Sequence, residues 1–117
     1  MVALTLLVLL DRFYLSRHPG TPALYDAGVR YYRDADRRTQ QVPAAELWLT
    51  IPDALAAGGA DCKVLAAWRV AELLERGEDP AARPELEQHG SLWHVVVRRG
   101  DGSREDPSAR LGMRGAA

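Results

Sequence analysis

Residues 61–77, DCKVLAAWRVAELLERG, decide how this chain folds. From Cys62 to Arg76 there is neither Gly nor Pro, and most of the residues are good helix formers. Leu65, Ala66, Val70 and Leu73 recur on one stripe at helical spacing, and Val64, Ala67, Trp68, Ala71 and Leu74 widen it. Only Lys63, Arg69, Glu72, Glu75 and Arg76 interrupt the apolar surface. The pattern predicts a helix buried over most of its circumference, with Asp61 placed to cap its start and Gly77 to end it.

Toward the C-terminus, Glu78 to Gly90 is polar, carries two prolines and has room for one short edge strand near Leu86. Leu92 to Arg98, LWHVVVR, is β-branched and aromatic and is the strongest strand in the chain. Arg99-Gly100-Asp101-Gly102 signals a hairpin, Ser103 to Asp106 forms the returning strand, and Pro107 stops it. The tail from Ser108 is expected to be short and to end in disorder after about Met113.

Toward the N-terminus, Thr50 caps a second helix with Pro52 in its first turn, and Gly58-Gly59 end it. Pro43 to Trp48 fits a short helical turn, Arg33 to Gln41 an exposed loop, and Val29, Tyr31 and Tyr32 an extended segment. His18-Pro19-Gly20-Thr21-Pro22 is a firm break. The opening MVALTLLVLL has no basic residue before it and no small-residue cleavage site after it, and Asp11 and Arg12 end it. It is shorter than the roughly 20 residues a membrane helix needs. It fits either a helix to about Arg17 or a strand and a turn, packed into the core of a soluble, cytoplasmic protein with no membrane partner.

The whole chain has 117 residues, enough for one domain, 1–117. A formal net charge of −1 argues against nucleic acid as a partner, because tracking phosphates needs a positive excess. Of its 15 basic side chains only Lys63 is a lysine, and with its many alanines this reads as G+C-rich coding. One Cys excludes an internal disulfide and a multi-cysteine metal site. His89 and His94 with Cys62 match no recognised zinc spacing, and G-x-S-x-G, the P-loop and G-x-G-x-x-G are all absent, so no metal or cofactor is expected. Trp48, Trp68 and Trp93 are read as core, and Arg37-Arg38 and Arg98-Arg99 as solvated charges.

Three residues carry chemistry when taken together. Cys62 opens the buried helix, where the positive end of the macrodipole favours thiolate. His94 lies in the strong strand, and Asp106 ends the neighbouring one. A His there deprotonates the thiol and later protonates a leaving group, while a carboxylate beside it fixes its tautomer. Strand alternation sets a condition on this triad. A two-residue Asp101-Gly102 turn pairs positions summing to 203 and sets Asp106 opposite Val97, off the His94 face. A three-residue loop, Gly100-Asp101-Gly102, pairs positions summing to 202 and sets Asp106 opposite Val96, on the His94 face. The triad therefore requires the three-residue loop, with Gly102 at its left-handed third position.

Asp61-Cys62, His94-Val95-Val96-Val97 and Asp106-Pro107-Ser108 resemble the Cys, His and Asp motifs of transglutaminase-like cysteine proteins, a branch of the papain-like fold. More narrowly, LYDAGVRY (24–31), ELWLTIPDAL (46–55), DCKVLAAWRVAEL (61–73), WHVVVRRGDG (93–102) and EDPSARLGM (105–113) resemble short phage and prophage proteins of that kind, over a core of about 24–113. The resemblance implies an α+β, papain-like core with Cys62 as nucleophile, His94 as general base and acid, and Asp106 as orienter. It implies a protein or peptide substrate, resolved by water or by an amine, or phage structural proteins as partners within a particle. Such proteins usually carry Gly before the Asp-Cys pair and acidic residues after it, where this chain has Ala60, Lys63 and Val64. An oxyanion would be met by the Cys62 N–H, with a second donor from Trp48, Gln40 or Gln41. The alternative is a non-catalytic phage structural or assembly protein that keeps the fold.

Overall fold

The computed structural model describes residues 2–33 and 48–113. They form an α+β fold in which helices pack on one face of a small antiparallel sheet. Helix α1 (Val2–Arg17) settles the ambiguity of the opening run as a helix. Helix α3 (Cys62–Glu75) lies alongside it in the same direction. Ala3 and Leu4 flank Cys62 and Lys63 at one end, and Arg12 Nε meets Glu75 Oε1 at 3.1 Å near the other. Leu4, Leu7, Val8 and Leu15 of α1 and Val64, Leu65, Trp68, Val70 and Leu73 of α3 form the core. Asp61 caps α3 as expected, its Oδ1 accepting from Val64 N at 3.2 Å. Gly77 follows the helix with φ +70°, a conformation that glycine adopts at least cost.

Strands β3 (Arg83–His89), β4 (Leu92–Arg98) and β5 (Arg104–Glu105) are ordered β3-β4-β5, all antiparallel. β4 has the bounds read from the sequence, whereas β3 is a full seven-residue edge strand. Its Pro84 and alternating charges hid it, and both features suit a strand with one open edge. Val97 pairs with Glu105 and Arg98 with Arg104, so paired positions sum to 202. Arg99 N donates to Ser103 O at 2.8 Å and Gly102 has φ +89°, the three-residue loop the triad required. β5 is shorter than the expected 103–106, ending at Glu105, and Pro107 opens a short helix α4 (Pro107–Arg110) that takes Asp106 as its cap. The expected disorder beyond Met113, the loop over 34–41 and the turn over 43–47 lie outside the described residues.

A second, parallel pair joins β1 (Arg30–Tyr31) to β2 (Gly59–Ala60) beside helix α2 (Ile51–Ala57). Thr50 occupies the N-cap of α2, yet its hydroxyl turns to Asp53 Oδ2 at 3.1 Å. The backbone of Ile51 instead donates at 3.1 Å to Asp11 Oδ1, a carboxyl from α1 buried completely in the core. Asp11 Oδ2 has no partner among the described residues. Burial pushes this carboxyl up to about 7, against the lowering effect of the Ile51 hydrogen bond.

Two outcomes follow from this packing. The Asp11 carboxyl holds its proton more tightly folded than unfolded, so its contribution is fully present below about pH 4 and is lost as pH rises through about 7. Chemical denaturation across that window should show stability falling by at most about 1.4 kcal/mol per pH unit. Asp11→Asn, which keeps the acceptor and loses the titration, should flatten that slope. At Gly59 a Cβ would collide with the Arg30 carbonyl and the Tyr32 ring. Gly59→Ala should therefore lower stability by about 1–3 kcal/mol in the same measurement.

Candidate functional site

Glu105, the last residue of β5, and Asp106, the residue just past it, are consecutive carboxylates that leave opposite faces of the sheet. Glu105 turns toward α3. Its Oε2 accepts from Arg69 Nε at 2.6 Å and from the Tyr25 hydroxyl at 2.5 Å, and its Oε1 accepts from Arg99 Nη1 at 2.7 Å. Burial alone would raise its pKa, but the hydrogen bonds from Tyr25, Arg69 and Arg99 outweigh burial and hold it below the ordinary range. Arg69 continues to Glu72, wholly buried, through Nη1 to Oε2 at 2.7 Å, and Glu72 Oε1 accepts from Leu24 N at 2.9 Å. Arg99 also reaches Asp79 Oδ2 at 2.8 Å. Arg98 pairs with Glu85 across the sheet. The Arg98-Arg99 pair, partly exposed and with Asp and Glu close by, is thus part of a lattice of ion pairs.

Asp106 leaves the other face, and there it meets His94. Nε2 of His94 lies 2.9 Å from Asp106 Oδ2, and both side chains are buried. Asp106 is fixed twice more. As N-cap of α4 its Oδ1 accepts from Ala109 N at 3.3 Å, and Arg104 Nη2 approaches Oδ2 at 3.5 Å. The bond to Asp106 engages Nε2 and leaves Nδ1 as the nitrogen available for a proton.

Cys62 is half-buried at the first position of α3. The backbone N–H of Val95 favours the thiolate of Cys62, which places the sulfur beside β4 one peptide away from His94. The Val95 side chain lines a cleft together with Cys62, whereas His94 leaves the opposite face of the same strand. Among the described residues no hydrogen bond joins the Cys62 thiol to His94. The structure brings His94 and Asp106 into contact, and it brings Cys62 to the strand backbone beside them. Burial pushes the thiol up, and the Asp61 carboxylate adds to that. The Val95 N–H, the Lys63 ammonium and the Lys63 N–H act in the opposite direction without reversing it.

The cleft has a volume of about 440 Å³ and opens between the starts of α1 and α3 and the sheet. Its walls include Leu4, Trp48, Leu86, Trp93 and Val95, with the Lys63–Asp61 ion pair beside the thiol. The Lys63 ammonium stands 5.1 Å from the centroid of the Trp48 ring. Trp68 is core as expected, but Trp93 is 62% exposed and Trp48 38%, so these two form cleft wall and not interior. Alternation from Trp93 to Val95 was readable in the sequence. The role of the Val95 N–H was not, because a backbone donor leaves no residue signature. Gln40 and Gln41, named as oxyanion donors, lie outside the described residues. Among the described residues no group of three His, Cys, Asp or Glu is disposed to hold a metal ion.

No protein-family model, curated protein or solved structure matches this chain. The Glu105 cluster yields a direct expectation. Glu105→Ala strips Arg69 and Arg99 of a shared, largely desolvated carboxylate and should cost about 3–5 kcal/mol in denaturant unfolding. Loss of only a few tenths would mean that the cluster does not hold β5 in place.

Proposed function

We propose that the chain is a thiol-dependent acyl-transfer enzyme of the transglutaminase-like, papain-like kind, a cysteine peptidase, amidase or transglutaminase acting on a protein or peptide. The observation that carries this is the buried His94–Asp106 pair, held one peptide away from the N–H that seats the Cys62 thiol at a helix start. The reading is further supported by a helix bearing the Cys on one side of an antiparallel sheet, with the His in β4 and the Asp directly after its neighbour β5. In the proposed reaction the His94 ring comes to the Cys62 side of β4 when substrate binds, the Cys62 proton passes to its Nδ1 and the sulfur attacks a carbonyl carbon. His94 then returns the proton to the departing amine, leaving a thioester. Water or a second amine, deprotonated by His94, cleaves the thioester and restores the thiol. Asp106 holds the imidazole in the tautomer that leaves Nδ1 free to accept, and it stabilises the imidazolium. The Cys62 N–H at the helix start is one donor for the oxyanion.

A second reading is a non-catalytic phage structural or assembly protein that keeps this fold. It is favoured by the thiol pushed up by burial and by His94 leaving the face of β4 opposite the cleft that Cys62 lines.

The two readings separate in one assay. The native chain is incubated with casein and a fluorescent primary amine, and both amine incorporation and peptide release are followed. The enzyme reading expects Cys62→Ala to abolish turnover and His94→Ala to lower it by about 10²–10⁴-fold. Turnover undiminished in Cys62→Ala contradicts it.

A further inference from the structure

Helix α1 is apolar on two faces. Leu4, Leu7, Val8 and Leu15 enter the core, yet Val2 (85%), Leu6 (55%), Leu9 (54%), Leu10 (49%) and Phe13 (58%) remain exposed on the outside. A helix that is hydrophobic all round is normally covered all round. The outer positions 2, 6, 9 and 13 are separated by four, three and four residues, the alternation of a heptad seam that takes the knobs of a second helix. No charged side chain interrupts this seam. Asp11 is buried in the core, Arg12 is engaged with Glu75, and the Arg17 guanidinium lies 4.5 Å from the Phe13 ring centroid.

We propose that this face is a homodimer interface, with α1 of one copy packed antiparallel on α1 of a second. The charges choose the direction. In a parallel pair the flanking positions set Arg12 beside the partner's Arg17, like against like. In an antiparallel pair whose facing residues sum to 15, Leu6 lies opposite the partner's Leu9 and Val2 opposite the partner's Phe13, and the arginines fall apart. Antiparallel helices also oppose their macrodipoles favourably. Five large apolar side chains contribute roughly 100 Å² each. Two copies thus bury about 1,000 Å², which reaches the lower bound of a specific interface. A lipid surface suits the helix less well, because a membrane-surface helix keeps a basic polar face, and the face opposite this seam is protein core.

Sedimentation equilibrium of the full chain tests the inference. The native protein should approach twice its 12.9 kDa mass as concentration rises. Leu6→Glu should return it to the monomer mass with an unchanged far-ultraviolet spectrum. Leu6→Glu combined with Leu9→Lys should restore the dimer, because the antiparallel register sets each new carboxylate against a new ammonium. If the charged variants fail to fold, Leu6→Gln serves in their place and should weaken the dimer at least tenfold. A native chain that stays monomeric at every concentration overturns the proposal. So does a dimer indifferent to Leu6→Glu, or a monomer that floats with anionic phosphatidylserine vesicles. A double variant that stays monomeric overturns the antiparallel register.

Discussion

Glu105 sits where the sheet, helix α3 and the turn at Tyr25 converge, and its carboxylate takes donors from Arg69, Arg99 and Tyr25. These contacts pin a return strand that has only two residues in the sheet. A strand that short has too few backbone hydrogen bonds to resist slipping, so side chains and the three-residue loop fix its register. A slip of one residue would exchange the faces of Glu105 and Asp106. The charged cluster on the α3 face and the His94–Asp106 contact on the other are two consequences of one register. The buried Glu72 extends the same constraint to the backbone at Leu24.

Much of this was legible in the sequence where a local rule and the tertiary outcome agree. The helix from Cys62 needed only its unbroken composition, its Asp61 cap and Gly77. The hairpin needed Gly102, and the demand that Asp106 share a face with His94 selected the observed loop. Where one residue serves two elements, local reasoning fails. Pro107 both stops β5 and starts α4, and Asp106 is both the partner of His94 and the cap of that helix. Thr50 looks like the cap of α2, but the donor at Ile51 is met by Asp11, 40 residues away in sequence. In strand β3, Pro84 and alternating charge mask an edge strand, so the sequence pattern shows only a fragment near Leu86. Trp93 was assigned to the core from its aromatic character, whereas its place near the hairpin tip opens it to the cleft and to solvent.

At the site, the geometry separates what is assembled from what is adjacent. His94 and Asp106 are in contact and buried, which fixes the ring and frees Nδ1. Cys62 is held at the same strand through the Val95 N–H, on the side of the Trp-walled cleft. Burial and Asp61 push the thiol up, so the proposed chemistry at Cys62 needs a base to take its proton. Catalytic contacts that are long in an empty site commonly tighten on binding. Lys63 offsets part of the effect of Asp61.

The rate of Cys62 alkylation by iodoacetamide as a function of pH, compared between the native chain and His94→Gln, tests that dependence most directly. If His94 serves the thiol, His94→Gln moves the inflection of the native profile to higher pH and slows alkylation below it. A profile that is the same in both proteins would contradict a Cys62–His94 couple and leave His94–Asp106 as a structural contact.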